Sequence, residues 1–543
     1  MVFKPIAILL ILGWGLFRAA PVIGQQWQSA FTWGGKGNDS FDAFLPMDGG
    51  GSIIGGAFTG QLTLRGEVLT SKGEEDIYLA GFIPGQELFP ILHLGSPGED
   101  ALAGLAISSS GDLLLGGTFW QSMAIGGVEL KTTRNPKAIF VASYAPGGSL
   151  TGVLKWAKMI EGGSLKALSR IGPAPDGSIY LSGFFSDTLF VDSLALTATG
   201  NTDAFLIKLD SNGNLLWGRR AGGKGDTRAL AFALGKNGAP AIAGAYNDRA
   251  VFDSTTLVAN TTDLDIFLAS YSSQGALQWA RKAGGVYDDE VFDMASDPLG
   301  NLYLCGQLVG VMNLGNGLEI QSRDGNSDAF ALKYTPDGTP LWAKVLGGKS
   351  VQTAYRLALD QHLLALAGYF QGDLEWAGKV AQAGNTYNGF LALLDTAGVG
   401  RDLLSLPGAS SIFPSVLHPH PSGGWWVGGV YQGMPAWGGI ALAKPQGGFD
   451  NFLAFWGSNP TALAEPQWGA SIRIYPNPAG ASFQIDLPEG PEAILLLWNP
   501  LGHCVATSTP GIPIDASLLP PGFYVLEVRR GPESVFRKVL VVR

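Results

Sequence analysis

Three charges are the best candidates for chemistry. When the chain is aligned on itself, Ala43, Gly104, Arg170, Ala231, Asp293, Arg356 and Val416 fall in one column. The next column is apolar throughout, from Phe44 and Leu105 to Leu357 and Leu417. Arg170, Asp293 and Arg356 thus interrupt small or apolar residues, and functional sites are where a repeat is expected to lose its symmetry. Two guanidinium groups and a carboxylate can hold a polar or charged ligand; the competing reading pairs them with one another. Two other sets of acids recur instead. Asp76, Asp203, Asp265, Asp328 and Asp450 lead one type of strand, and Asp39, Asp100, Asp226 and Asp288 stand at loop starts. Repetition favours carboxylates that accept backbone N–H groups in recurring turns over a ring of cation ligands. His418 and His420 alternate in a His-Pro-His-Pro stretch, but two ligands without a third suggest an exposed turn rather than a metal site. No nucleophile elbow, phosphate loop, dinucleotide fingerprint or zinc spacing occurs. No catalytic residue, metal or cofactor is therefore assigned. Calcium gains no support from Asp210-Ser-Asn-Gly-Asn214, which lacks the sixth-position glycine and closing glutamate of a calcium loop.

What must position these residues is a repeat. A strand ending in glycine, with an aromatic (once leucine) two residues on, occurs at Gly56, Gly117, Gly183, Gly244, Gly306, Gly368 and Gly429. The spacings are 61, 66, 61, 62, 62 and 61 residues. A second marker, usually Asp followed two positions later by an aromatic, trails each glycine. A third is a tryptophan followed by a glycine pair, as in Trp279 with Gly284 and Gly285. Asn237-Gly238, Asn212-Gly213 and Asp337-Gly338 supply the tight hairpin turns. Each unit reads as four antiparallel strands, and seven such units predict an all-β, seven-bladed β-propeller. The seventh unit stops after its third strand. The stray strand Trp27–Trp33, followed by Gly34 and Gly35, is expected to complete it and close the ring, removing an exposed edge. Trp156, Trp217, Trp279 and Trp342 are assigned to packing between blades.

In one unit Trp279, Gly284, Gly285, Asp288, Gly300, Asn301, Gly306, Asp328 and Phe330 match the pattern of the SBBP-type β-propeller repeats of bacterial exported proteins. The resemblance spans about residues 26–456 and implies architecture, not an activity.

Residues 1–24 read as a cleavable signal peptide: Lys4, a short apolar run from Pro5 to Phe17, then small residues, with cleavage expected between Gly24 and Gln25. No other stretch is long and apolar enough to span a bilayer. Cys305 and Cys504 fall in different parts of the chain, so both read as core residues rather than a disulfide. The leader carries +2 and residues 471–543 sum to zero, so a total of −10 leaves −12 on the rest. That balance argues against nucleic acid and anionic membranes as partners.

After a proline-bearing linker over 458–470 the period disappears, and residues 471–543 read as a small immunoglobulin-like β-sandwich. Tyr475, Pro476, Asn477 and Pro478 open it. An Asn-Pro-Leu-Gly turn ends at Gly502, a Leu-x-x-Gly-x-Tyr segment carries Gly522 and Tyr524, and Lys538 precedes the last strand. These motifs resemble the type A C-terminal sorting domain of the type IX secretion system of Bacteroidota. The resemblance implies the outer-membrane secretion machinery as a partner and a protein that is secreted or attached to the outer cell surface. The propeller, over 25–457, is then expected to be a monomeric scaffold for a surface glycan or protein ligand. A polysaccharide hydrolase or lyase with a site at the channel mouth, and a structural surface-layer component, are the alternatives.

Overall fold

The structure, a computed structural model, describes residues 25–458 and 471–542 apart from 48–50, 85–86, 146–151, 361, 409, 422, 491, 499–503, 521 and 531–532. The leader with Gly24, most of the linker, and Gly502 therefore lie outside the described residues. The fold is all-β.

Residues 25–458 build a series of antiparallel sheets, numbered 1 to 7 here by the order of their innermost strands. These strands are Ala43–Pro46, Ala101–Ile107, Lys166–Pro173, Thr227–Leu234, Glu290–Ser296, Gln352–Leu359 and Ile412–Pro419. In sheets 1 to 6 the first four strands follow in chain order from inside to outside, and sheet 2 continues into a further hairpin, Thr188–Val191 with Leu194–Thr197. In sheet 7 the fourth place is taken by Gln25–Trp33, which pairs with Asp450–Ser458 from Gln25↔Ser458 to Trp33↔Asn451. Each innermost strand lies against the next, and that of sheet 7 lies against that of sheet 1.

The recurring residues explain how the sheets are built and joined. In sheets 2 to 7 the marker glycine faces a bulge in the innermost strand; the register slips between Leu168 and Arg170, Val291 and Asp293, and Ala354 and Arg356, for example. A Cβ on Gly183, Gly306 or Gly368 would overlap a main-chain carbonyl of that strand, so only glycine fits there. The marker aspartates are buried and accept backbone N–H bonds from residues four or five positions earlier: Thr199 to Asp203 (3.1 Å), Asn260 to Asp265 (3.0 Å) and Arg323 to Asp328 (2.6 Å). Each carboxylate fills the space where a Cβ on the first glycine of the next pair would sit, Gly222 for Asp203, Gly284 for Asp265 and Gly347 for Asp328. Aspartate and glycine therefore recur as one device. The repeated tryptophans join neighbouring sheets: Trp156, Trp217, Trp279 and Trp342 each donate an indole N–H to a carbonyl in the outer turn of the following sheet.

Three expectations are corrected. Asp226 and Asp288 stand one residue short of the position held by Asp39 and Asp100; Thr227 and Asp289 occupy it, because strand pairing places Thr227 opposite Tyr246 as Asp39 lies opposite Phe58. Cys504 is exposed, and only Cys305 is a core residue. His418 and His420 are half-buried rather than in an exposed turn. His418 packs on Phe44 and donates from Nδ1 to the Pro419 carbonyl (2.7 Å), while His420 packs on Phe455 and Trp426. Burial holds both imidazoles below their usual pKa.

In residues 471–542, a three-stranded and a four-stranded antiparallel sheet enclose one core around Phe483, Leu495, Leu526 and Val539.

Candidate functional site

The innermost strands of sheets 1, 2, 3, 5, 6 and 7 surround a cleft of about 210 Å3 whose charged lining is Asp42, Arg170, Asp293 and Arg356. The bulges create its chemistry. A bulged residue is left out of the ladder, so its carbonyl needs another donor, and the two arginines supply it. Arg170 donates from Nη1 to the Ser169 carbonyl (2.9 Å) and from Nη2 to the Phe292 carbonyl (2.9 Å). Arg356 donates from Nη1 to the Tyr355 carbonyl (3.0 Å) and from Nε to the Ser415 carbonyl (2.6 Å). Ser169, Phe292, Tyr355 and Ser415 are all bulged positions.

All three charges singled out from the sequence border this cleft, but they do not form one network. Arg170 pairs with Asp293 (Nη2 to Oδ1, 3.1 Å), and the other Asp293 oxygen accepts the Leu357 N–H at 3.0 Å. Among the described residues Arg356 forms no ion pair. Its guanidinium lies over the Tyr355 ring, 4.5 Å from the centroid, and Tyr355 stands 5.3 Å from Phe292.

Asp42, missed in the sequence, is the fourth charge. Its Oδ2 accepts a hydrogen bond from Ser40 (2.6 Å). Burial pushes its carboxyl above the usual range, against the opposing pull of that bond and of Arg356. Asp42 sits one position before the column that holds Arg170, Asp293 and Arg356, the place that Phe292 and Tyr355 fill in sheets 5 and 6. Reading that earlier column, Asp42, Ala103, Ser169, Leu230, Phe292, Tyr355 and Ser415, would have exposed all three.

A second set of polar positions lies at the start of six of the seven innermost strands: Asp39, Asp100, Lys166, Thr227, Asp289 and Gln352 are all buried, and Ile412 holds the place in sheet 7. Asp39 and Asp100 accept the N–H of the residue four before (2.6 Å each), and Lys166 donates to the carbonyls of Gly162 and Gly163. These residues cap turns. Among the described residues no group of three or more His, Cys, Asp or Glu could hold a metal ion, and no helix is long and apolar enough to cross a membrane.

The motif residues of the C-terminal domain act as internal ties. Tyr475 donates to Asp486 (2.8 Å), and the Asn477 side-chain oxygen accepts the Leu540 N–H (2.9 Å), fixing the opening of the domain to its last strand. Pro476 and Pro478 lie in the segment between the strands Arg473–Tyr475 and Ser482–Asp486. Gly522 begins the strand Gly522–Arg530, in which buried Tyr524 donates back to the Pro520 carbonyl (2.9 Å); Lys538 lies within the last strand, Glu533–Val541, paired with Val525, and not before it as expected.

The chain is similar to three known proteins. It is 24% identical over 336 residues to the regulatory protein FlaEY of Caulobacter vibrioides, covering 57% of this chain and 34% of that protein. It is 21% identical over 378 residues to the uncharacterized WD repeat-containing protein L264 of Acanthamoeba polyphaga mimivirus, covering 56% and 27%. The chain thus spans about a third or less of the length of these curated relatives. Among solved structures, Sqt1 from Chaetomium thermophilum aligns over 80% of this chain and 99% of its own, at 12% identity and a TM-score of 0.37. Residues 473–542 match the family of secretion system C-terminal sorting domains. A tail of this kind engages the type IX secretion machinery, and the protein is accordingly exported to the outer cell surface.

Proposed function

We propose that the exported part is a ligand-binding scaffold: a closed seven-bladed propeller over 25–457, joined through 458–470 to an immunoglobulin-like sorting domain over 471–543, with 1–24 removed after Gly24. The proposed source is a member of the Bacteroidota, and the repeats are of SBBP type. Ring closure is supported by the pairing of Gln25–Trp33 with the seventh sheet, which leaves that sheet no open outer edge on its third strand. It is supported again by contact between the innermost strands of sheets 7 and 1. In this reading the cleft with Arg170, Asp293 and Arg356 is the mouth of the central channel and receives the ligand.

One observation carries the binding role. Arg356 brings a full charge to the cleft, donates to carbonyls alone and has no carboxylate partner among the described residues. Removing Arg356 takes the donor from two bulge carbonyls but leaves no buried carboxylate unpaired. Arg356→Ala should therefore lower stability by about 2 kcal/mol, the scale of hydrogen bonds from a charged group, as measured by denaturant melts. A loss of ~3–5 kcal/mol, expected when a buried ion pair is broken, would make Arg356 structural and remove the site.

A further inference from the structure

We infer that a cavity between sheets 4 and 5, separate from the cleft, binds a small primary amine that carries an aromatic ring. The cavity has a volume of about 370 Å3 and is lined by Asn237, Ala241, Ser270 and Gln278 of sheet 4 and by Pro336 of sheet 5. That volume falls within the roughly 300–1,000 Å3 of sites for small ligands. Its origin is one cross-strand pair. The residue three before each marker glycine lies opposite a residue of the third strand. In sheet 3 this pair is Tyr180 with Lys208, in sheet 5 it is Tyr303 with Lys333, and in sheet 4 it is Ala241 with Ser270. Ala241 with Ser270 is the smallest such pair of the seven, and both residues line the cavity.

Sheets 3 and 5 show what fits the space. In sheet 3 the Lys208 ammonium lies over the Tyr180 ring, 5.2 Å from its centroid, and donates to the Ser273 carbonyl (3.2 Å) and to Asp176 (2.9 Å). In sheet 5 the Lys333 ammonium lies over the Tyr303 ring at 4.9 Å and donates to the Thr396 carbonyl (3.0 Å). Each of these carbonyls also accepts an indole N–H, from Trp217 and Trp342. The corresponding carbonyl beside sheet 4 is that of Pro336. It accepts the Trp279 indole N–H at 2.9 Å, but among the described residues no ammonium donates to it, because serine stands in place of the lysine. Ring and ammonium are thus missing together, while the acceptor that would hold the ammonium remains in the cavity wall, with room for a second donor. A cavity left where large side chains give way to small ones takes up a molecule of the missing shape, and cation–π attraction favours ring and ammonium together. Asn237 stands where sheet 3 has Asp176 and offers a neutral oxygen; Lys333 shows that a carbonyl and a ring suffice. Lys236 at the rim opposes a cation, but it is exposed and its chain can extend into solvent. The −12 carried by residues 25–470 attracts one.

The test titrates the full exported chain with tyramine, N-acetyltyramine and 4-ethylphenol by ligand-observed NMR. Tyramine should bind about tenfold or more tightly than either neutral probe, the scale of one hydrogen bond from a charged donor. Ala241→Tyr combined with Ser270→Lys rebuilds the pair of sheets 3 and 5 and should abolish tyramine binding. Arg356→Ala should leave it unchanged, which separates this site from the cleft. Four results overturn the inference: no binding of tyramine, equal binding of tyramine and N-acetyltyramine, undiminished binding to the double variant, or loss of binding in Arg356→Ala. Should the double variant fail to fold, Ser270→Lys alone fills the ammonium position and should abolish the preference for tyramine; a preference that persists there overturns the site.

Discussion

Asp328 and Asp293 belong to the same sheet, the first leading its third strand and the second standing in its innermost strand. Asp328 has counterparts in nearly every repeat. It is buried, receives the Arg323 N–H and fills the space above Gly347. Asp293 stands in a column that is alanine, glycine or valine in four sheets and arginine in two, is partly exposed, and faces a cleft rather than a turn. Two carboxylates of one type thus answer to different constraints. A residue that recurs with its glycine is held by the backbone it caps. A residue that appears once, beside the cleft, is held by other side chains or by a partner. Recurrence is the better guide to fold, and its failure the better guide to a site.

The comparison breaks if the recurring pair is dispensable. Gly347→Ala drives a methyl group into the Asp328 carboxylate, and should cost about 3 kcal/mol, the upper range for overpacking a tight interior. Asp328→Ala alone should also destabilise, because it strands the Arg323 N–H. The double variant should recover part of the sum, with a coupling energy of at least ~1 kcal/mol in chemical denaturation. Strict additivity would mean that aspartate and glycine recur independently.

Arg170→Ala sharpens the contrast inside the cleft. Arg170 and Asp293 are 25% and 15% exposed, so leaving Asp293 unpaired should cost about 3 kcal/mol, the low end for a broken buried pair. That exceeds the expected loss for Arg356→Ala. Equal melting of the two variants would place both arginines in one category and dissolve the division between framework and free charge.

How far the sequence discloses all this follows from the same division. Glycines that recur in every sheet, with aspartates in five of the seven, announce the sheets, their strand order and the docking of Trp27–Trp33. Arg170, Asp293 and Arg356 are visible because they interrupt a column. Phe292 and Tyr355 are hidden because each bulge inserts one residue, and a reading by strict alternation skips the inserted position; Asp42 stands at the same place, one before its column. Loops that differ by one residue also mislead. Asp226 and Asp288 look like Asp39 and Asp100 but stand beside the buried position, not in it. The stretch between second and third strands conceals a further hairpin, such as Arg249–Phe252 with Thr255–Val258, which packs on the fourth strand of the sheet before. Its signal is four residues per arm with one or two buried side chains, too short to register as a period.

The smallest effect expected is a change in the pH dependence of stability, and it bears on the buried positions at the start of the innermost strands. Burial raises Asp39 to about 7, Asp100 to about 6 and Asp289 to about 8, from 3.8. For Asp289 the main-chain N–H groups of Val309 and Gly285 oppose the shift, and the neighbouring Asp265 and Asp288 add to it. In the folded state these carboxyls hold protons that the unfolded chain has released, so their contribution is intact below the unfolded value of 3.8 and is lost as pH rises towards 8. Lys166 behaves in the opposite sense. Burial lowers it to about 8 from 10.5, so between those values the unfolded chain binds the extra proton and stability rises with pH. Asp289→Asn removes one titrating group, keeps the side-chain shape, and should flatten the falling limb between about pH 4 and 8 by at most ~1.4 kcal/mol per pH unit, the limit for one proton. Lys166→Met should flatten the rising limb above pH 8 and leave the lower one unchanged. Urea melts across pH 4 to 10 read both slopes. An unchanged lower limb in Asp289→Asn would mean that the buried acid stays ionised, compensated by groups other than its backbone donors, and the capping role of this position would have to be reassigned.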